Sequence, residues 1–502
     1  MKKVVVVGGG AAGLMAAIAA AKQGAKVTLL EKNKQVGKKI LVTGNGRCNL
    51  TNRDQSPDHY RSAESDFAAQ VLSRVGMQDI LKKFTEFGIF TKNRNGYLYP
   101  YSDQAASVAE VLRLEAEHRG VKLALNTEAQ AITREENSFR VQTEGWSYPA
   151  DAVILTCGSK AAPETGSDGG GYRLAESLGH RIIKPLPALV QLRCKEKFYE
   201  KLAGVRMDAR VELYTEERLL ASDQGEVQFT KNGISGIPVF QVSRYAVRAL
   251  DAGKKVRAVL NLMPMFDEAQ FLTFLKDRAE KNPYKTGEQF LTGLFPAKTS
   301  ACVLERSGLG KSGKKAGDWT DAEFAKLTRT VTQFETEITG SGDFTQAQVC
   351  SGGADTREVN PDTMESRKVP GLYLAGELLD VDGACGGYNL QWAWSSGWLA
   401  GVSAASAGEE EMYDSNQSNQ TSGGAWRAGA SAGGGPGTEG GFREDREADH
   451  SEEIHRREKE TNLLCIYGGC EAEGRGKASE EASQPKCIKD REKEVPFSGA
   501  RK

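Results

Sequence analysis

Residues 4–31 read VVVVGGGAAGLMAAIAAAKQGAKVTLLE, and this stretch decides the fold. Four consecutive valines at 4–7 form a β-branched run suited to a strand buried on both faces of a parallel sheet. Residues 14–23 are good helix formers closed by Gly24, and 27–30 form a second apolar strand that ends at Glu31. Between the first strand and the helix lies Gly8-Gly9-Gly10-Ala11-Ala12-Gly13, a G-x-G-x-x-G turn. In such a turn Gly8 permits the tight bend, Gly10 lets backbone approach a pyrophosphate, and Gly13 lets the helix pack on the strand. The phosphate charge then meets the free amides and positive end of the helix. Glu31 is placed to accept hydrogen bonds from an adenosine ribose, and its charge disfavours a 2′-phosphate. Strand, turn, helix and acidic residue agree, so the N-terminus is expected to hold the ADP half of a dinucleotide, with Ala11, Ala12 and Lys32 beside it.

The next segment, VGKKILVTGNGRCNLTN at 36–52, selects FAD over NAD. A simple NAD enzyme has no use for a polar, glycine-rich loop directly after its second strand. An extended flavin dinucleotide runs past such a loop and needs backbone amides and a cation near its phosphates, which brings in Lys39, Thr43, Gly44 and Gly46. A third element, GLYLAGELLDVDGACGGYNLQ at 371–391, reads as strand, acidic turn, glycine loop and helix start. Gly376 and Glu377 are positioned for the ribityl chain or phosphates. A helix beginning near Asn389, with Gly387 and Leu390 beside its start, points its positive end at the isoalloxazine ring, and the small residues Ala393, Ser395, Ser396 and Gly397 let it pack closely.

Between these motifs the pattern predicts helices at 65–87 and 103–119 and strands at 121–125, 139–143 and 151–156. Alternation of period two over 185–226 predicts an antiparallel β domain. Residues 233–238 read as a turn-rich hinge, 239–250 and 267–280 as helices, the chain to about 306 as mostly helical, and 328–338 as β-rich. The organisation expected is an α/β, glutathione-reductase-like FAD-binding Rossmann domain in two parts, 1–189 and 346–405. They are interrupted by a 190–345 insert with β-barrel and helical parts that covers the substrate. From 406 to 502 the chain is mostly Gly, Ser, Glu, Lys and Arg with few aliphatics, a composition expected to be disordered.

Composition narrows the partners. The 502 residues carry a net charge of −1, so no global basic footprint points to nucleic acid or an acidic membrane surface. Lys2 and Lys3 before an apolar run imitate a secretory signal, but the glycines at 8–10 and 13 interrupt its core. No uninterrupted apolar window reaches membrane-spanning length. Nine cysteines without a paired framework and five histidines fit a cytoplasmic protein with free thiols and no metal site.

Together the motifs resemble the BaiN/YhiN-type flavoproteins, a bacterial family of FAD-dependent oxidoreductases. Besides the segments above, the likeness rests on LYPYSDQA (98–105), GSDGGGYRLAESLGH (166–180) and GEVQFTKNGISGIPVF (225–240), and it extends over about 1–405. The resemblance implies that Arg47, Cys48 and Asn49 lie along the cofactor, and that Thr156, Cys157 and Gly158 form a strand-end turn beside it. It assigns Gly376, Glu377, Asn389, Gln391 and Ala393 to the flavin segment. One activity attributed to the family is reduction of a conjugated C=C bond in oxo-bile-acid intermediates. Lys231 stands where many relatives have His, which weakens a histidine proton donor there.

The resulting expectation is a reductase in which NAD(P)H, bound transiently, reduces FAD and the flavin passes hydride to an activated alkene of a small-molecule substrate. A second group must protonate the other carbon. Arg47, Tyr388, Lys231, Tyr99 and Tyr101 are candidates. A flavin-dependent oxidase or dehydrogenase, a non-catalytic flavin sensor and a tRNA-modifying flavoprotein share parts of the pattern. No second G-x-G-x-x-G follows a strand, so a dedicated NAD(P)H domain is not expected.

Overall fold

The computed structural model describes residues 1–310 and 313–406. Strand β1 (Lys3–Val7) and strand β2 (Lys26–Leu30) pair in parallel, Val4 opposite Val27, and helix α1 (Ala11–Lys22) connects them. They sit inside a five-stranded parallel sheet whose order is Leu372–Leu374, Ala152–Leu155, β1, β2, Lys122–Ala124. Val4 to Val7 are all buried, as a β-branched strand flanked on both sides requires.

One sheet strand comes from residue 372 onward, so the far end of the described chain completes the sheet begun at residue 3. The closing helix, Tyr388–Ser406, packs along α1 through glycines: a Cβ on Gly397 would lie 2.3 Å from Ala12 O, and one on Gly401 would lie 2.2 Å from Ala16 O. Trp392 and Trp394, both fully buried, donate their indole N–H groups to Gly376 O and Leu50 O, which ties this helix to two loops.

Six strands close into a barrel in the order Leu192–Cys194, Gly233–Gly236, Arg218–Thr230, Arg206–Thr215, Val256–Asn261, Phe334–Ser341. The barrel has its own core, with Phe229, Leu260 and Phe334 inside and the helices Glu268–Lys281, Ala297–Ser307 and Asp321–Thr332 packed around it. The architecture is thus a Rossmann-type α/β fold with a small barrel.

Three local expectations are corrected. The 65–87 helix is two helices, Phe67–Arg74 and Met77–Phe87, because Gly76 starts a new one, its amide held by the Asp79 carboxylate. The 233–238 hinge is in part a barrel strand, Gly233–Gly236, followed directly by the helix Ile237–Asp251. Residues 328–332 are helical; Thr320 and Glu323 cap that helix reciprocally, and the Thr330 and Thr332 hydroxyls donate to carbonyls four residues back. The strands Ala129–Arg134 and Trp146–Ala150, flanking Phe139–Thr143 in an antiparallel sheet, had no counterpart in the sequence reading.

Among the described residues no helix is long and apolar enough to cross a membrane, and no group of three or more His, Cys, Asp or Glu side chains is placed to hold a metal ion. The tail expected to be disordered lies, from residue 407, outside the described residues.

Candidate functional site

The loops leaving the carboxyl ends of all five parallel strands converge on one cavity of about 1180 Å³, lined among others by Gly8, Glu31, Thr127, Thr156 and Glu377. Ligands of open parallel sheets bind at this edge. Small-molecule cavities run to roughly 1,000 Å³, so this space suits an extended ligand with room beside it.

At one end the glycine turn is locked from below. Gly8 has φ +103°, its amide donates to Leu30 O, and the Thr156 hydroxyl donates toward Val7 O and Gly8 O at 3.0 and 2.9 Å. Gly13 touches the turn so closely that a Cβ would lie 1.9 Å from Gly8 O. The first helical bond runs from the Leu14 amide to Gly10 O, so the amides before it have no helical partner. Gly10, Ala11 and Ala12 all line the cavity, and a Cβ on Gly10 would meet no protein atom within 4 Å. That is a cradle a side chain would fill.

The buried Glu31 carboxylate accepts from the Gly9 amide at 2.8 Å and from the Asn33 amide and side-chain amide at 2.8 and 2.6 Å. A carboxylate offers about four acceptor sites, so one remains for a ligand hydroxyl. Nearby, Lys32 pairs with Asp168 at 2.8 Å. Burial pushes the Asp168 carboxyl up, but the Lys32 ammonium and Gly170 amide more than offset it and hold it below the ordinary value. Lys39 pairs at 2.5 Å with Glu377, which also accepts from the Ser159 hydroxyl at 3.1 Å.

At the other end, Thr43, Gly44, Arg47 and Asn49 face the strand residues Tyr97 and Tyr99 and the loop before the C-terminal helix. The Asn389 carboxamide shapes that loop: it accepts from the Gly383 amide at 2.7 Å and donates to Gly383 O and Ala384 O at 2.9 and 3.3 Å. Asn49 Oδ1 is buried and has no hydrogen-bond partner among the described residues. Val42 and Ile237, on the cavity wall, are 59% and 55% exposed although apolar, and Leu189, Phe240 and Val349, packed together, line the same cavity.

Most of the expected cofactor residues reach the cavity wall; Gly13, Gly46, Cys48, Gly376 and Gln391 do not. Gly13 and Gly376 sit behind the wall, the Gly376 amide donating to the Ser396 hydroxyl at 3.0 Å. Gly46 faces outward. Cys48 is fully buried, and burial pushes its thiol up to about 12, so it shapes the loop from beneath. Gln391 is buried and donates to the Ser395 hydroxyl at 2.8 Å.

Of the proton-donor candidates, Arg47 and Tyr99 line the cavity. Tyr388 does not: it is buried, stacked on His59 at 4.3 Å with Tyr60 at its edge. Lys231 stands exposed in the tight turn between two barrel strands, and Tyr101 is exposed against Phe90. The sequence reading missed Thr127–Ala131, Leu189, Ile237, Phe240 and the 345–349 segment, all at the wall. Only Thr127–Ala131 had a usable signal, since it follows a parallel strand at its carboxyl end.

A phosphate-sized cradle at a helix start, a carboxylate beside it, and a polar loop with an unpartnered buried oxygen farther along match the demands of FAD. The family model described as HI0933-like protein Rossmann domain matches residues 2–403. The chain belongs to the HI0933-like family. As a member it is an FAD-dependent oxidoreductase. It is 46% identical over 394 residues to the 3-dehydro-bile acid delta(4,6)-reductase of Clostridium scindens, covering 78% of this chain and 96% of that protein. It is 30% identical to the ribosomal RNA dihydrouridine synthase of Escherichia coli, covering 77% of this chain and 93% of that protein. Among solved structures it is similar to a 3-ketosteroid delta1-dehydrogenase from Sterolibacterium denitrificans at 15% identity and a TM-score of 0.43, covering 81% of this chain and all of that one.

Proposed function

We propose that the enzyme reduces a C=C bond conjugated to a carbonyl in an apolar, fused-ring small molecule of the oxo-steroid class, with NAD(P)H as the source of electrons. The observation that carries this reading is the apolar part of the cavity wall. Val42 and Ile237 stay exposed on the cavity wall, and Leu189, Phe240 and Val349, packed against one another, add further apolar surface to the same wall. Exposed apolar side chains gathered in a cavity mark a binding surface for an apolar ligand. The relative at 46% identity is named as a bile-acid reductase, which supports the same substrate class.

When bound, FAD supplies hydride to the substrate and takes it from the nicotinamide. In this reading the Gly10–Ala12 backbone holds the pyrophosphate and the remaining acceptor site of Glu31 holds the ribose. Lys39, fixed by Glu377, lends positive charge, and the start of the C-terminal helix faces the ring system with Arg47. Thr156, Cys157 and Gly158 floor the cavity. We take 1–189 and 346–405 as two parts of one glutathione-reductase-like FAD domain and 190–345 as the insert that covers the substrate. The nicotinamide then binds transiently, from the same side as the substrate. The described cysteines are free, which supports a cytoplasmic setting.

The test is anaerobic addition of NADH or NADPH to the yellow protein, then of a 4-ene-3-oxo-steroid, with the product weighed by mass spectrometry. Bleaching, recovery of colour and a gain of two hydrogens are expected. Reduction of uridines in ribosomal RNA with no reaction on the steroid overturns the assignment.

A further inference from the structure

Alkene reduction needs a proton as well as a hydride, and the wall of the cavity narrows its source. Resting on the enone reading above, we propose that Tyr99 is the acid that delivers this proton to the substrate carbon next to the carbonyl. Tyr99 lies in the strand Tyr97–Pro100, where the pleat turns Leu98 and Pro100 inward and leaves Tyr97 and Tyr99 half-buried at the cavity wall. Gly44 presses against its ring: a Cβ there would lie 3.6 Å from Tyr99 Cε1. This places Tyr99 beside the loop that carries Arg47 and Asn49 and away from the Glu31 end. Its hydroxyl donates to no acceptor among the described residues, so its proton is available to a ligand.

Neighbouring groups favour this ring over Tyr97. The Arg94 guanidinium stands 5.8 Å from the Tyr99 ring centroid, and the Arg47 charge also acts on Tyr99. Both cations favour the phenolate that remains after the proton leaves. Burial, the largest influence, together with Tyr97, still holds the phenol above its ordinary value, so it enters the reaction protonated. Tyr97 instead packs on the glycine loop, 3.1 Å from where a Gly386 Cβ would be. Arg47 is a poor acid, since a guanidinium does not lose its proton in proteins.

Hydride from the reduced cofactor adds to the far carbon of the C=C bond, and the π electron pair moves toward the carbonyl. The Tyr99 O–H bond breaks and its proton forms the second C–H bond. The alkene is reduced by two electrons, the cofactor is oxidised, and the phenolate recovers a proton from water.

The test compares Tyr99→Phe with Tyr101→Phe, whose ring is exposed away from the cavity, in the FAD-loaded enzyme. Each is reduced with dithionite and mixed anaerobically with a 4-ene-3-oxo-steroid or with 1-nitrocyclohexene. A nitroalkene accepts hydride to give a nitronate, which persists without an enzyme acid. Tyr99→Phe is expected to lose about 100- to 10,000-fold in steroid reduction, to reoxidise with the nitroalkene at near wild-type rate, and to accumulate nitronate. Tyr101→Phe keeps steroid activity. Steroid reduction by Tyr99→Phe within threefold of wild type overturns the assignment, as does equal loss with the nitroalkene or equal loss in Tyr101→Phe. A wild-type enzyme inert toward the steroid overturns the enone reading itself, an outcome distinct from a failing variant.

Discussion

Replacing Gly10 by alanine separates cofactor binding from folding. Gly10 has φ −79° and ψ −164°, a conformation open to any L-residue, and its added Cβ would meet no protein atom within 4 Å. In the apoprotein two small effects oppose each other. Alanine is a poorer helix N-cap than glycine, but it restricts the unfolded chain more, so stability stays within about 1 kcal/mol of wild type. In the FAD-bound protein the methyl group stands where the pyrophosphate must approach the backbone. Losing one charge-assisted amide–phosphate hydrogen bond costs about 1.5–3 kcal/mol, or roughly 10- to 150-fold in the dissociation constant. FAD titration followed by flavin fluorescence gives the affinity, and urea denaturation of the flavin-free protein gives the stability. Unchanged FAD affinity in Gly10→Ala would refute the cradle. A large loss of apoprotein stability would refute the claim that this space is free of protein.

Glu31→Gln leaves at least one of its three donors facing an amide N–H, and the choice that keeps both Asn33 bonds orphans the buried Gly9 amide. Apoprotein stability should fall by about 1–3 kcal/mol and FAD retention with it, read by thermal melting and flavin content. Gly397→Ala forces a Cβ into Ala12 O and is expected to cost about 1–3 kcal/mol, while Gly340→Ala, whose Cβ would meet nothing, melts like wild type. Burial holds the His180 imidazole below its ordinary value despite the Glu358 carboxylate 3.2 Å from Nδ1. The neutral ring is the native form, so this stabilisation is complete above the unfolded value of about 6.5 and is lost as pH falls through the folded value. Urea midpoints measured from pH 7.5 downward should show that slope, and His180→Gln should flatten it. Ile237→Asp should raise KM for the oxo-steroid and leave anaerobic flavin reduction by the nicotinamide unchanged, read by steady-state and stopped-flow absorbance.

The N-terminal unit was legible because its signals are local: the valine run, the glycine turn and Glu31 lie within thirty residues and need no distant partner. The barrel was legible only where alternation ran long. Gly233–Gly236 reads as a hinge in isolation, but barrel closure brings another backbone against it, and a Cβ on Gly233 would lie 2.3 Å from Leu192 O. Thr328 to Thr332 suggests a strand by composition, yet Phe324, Leu327 and Val331 form a helical stripe facing the barrel core, and that packing overrides propensity. In the site, motif glycines and charges were found, but side-chain direction was not. Cys48 and Gln391 belong to the right segments and point into the protein, whereas Ile237 and Phe240 come from a helix with no cofactor motif.

The most direct measurement of the central claim bypasses the electron donor. Protein loaded with FAD is reduced anaerobically by dithionite, freed of excess reductant, and mixed with a 4-ene-3-oxo-steroid while flavin absorbance is followed. One bound flavin per chain, return of the oxidised spectrum and one equivalent of reduced steroid are expected. A protein that stays colourless with added FAD, or a reduced flavin that persists in the presence of every conjugated enone tried, would contradict that claim.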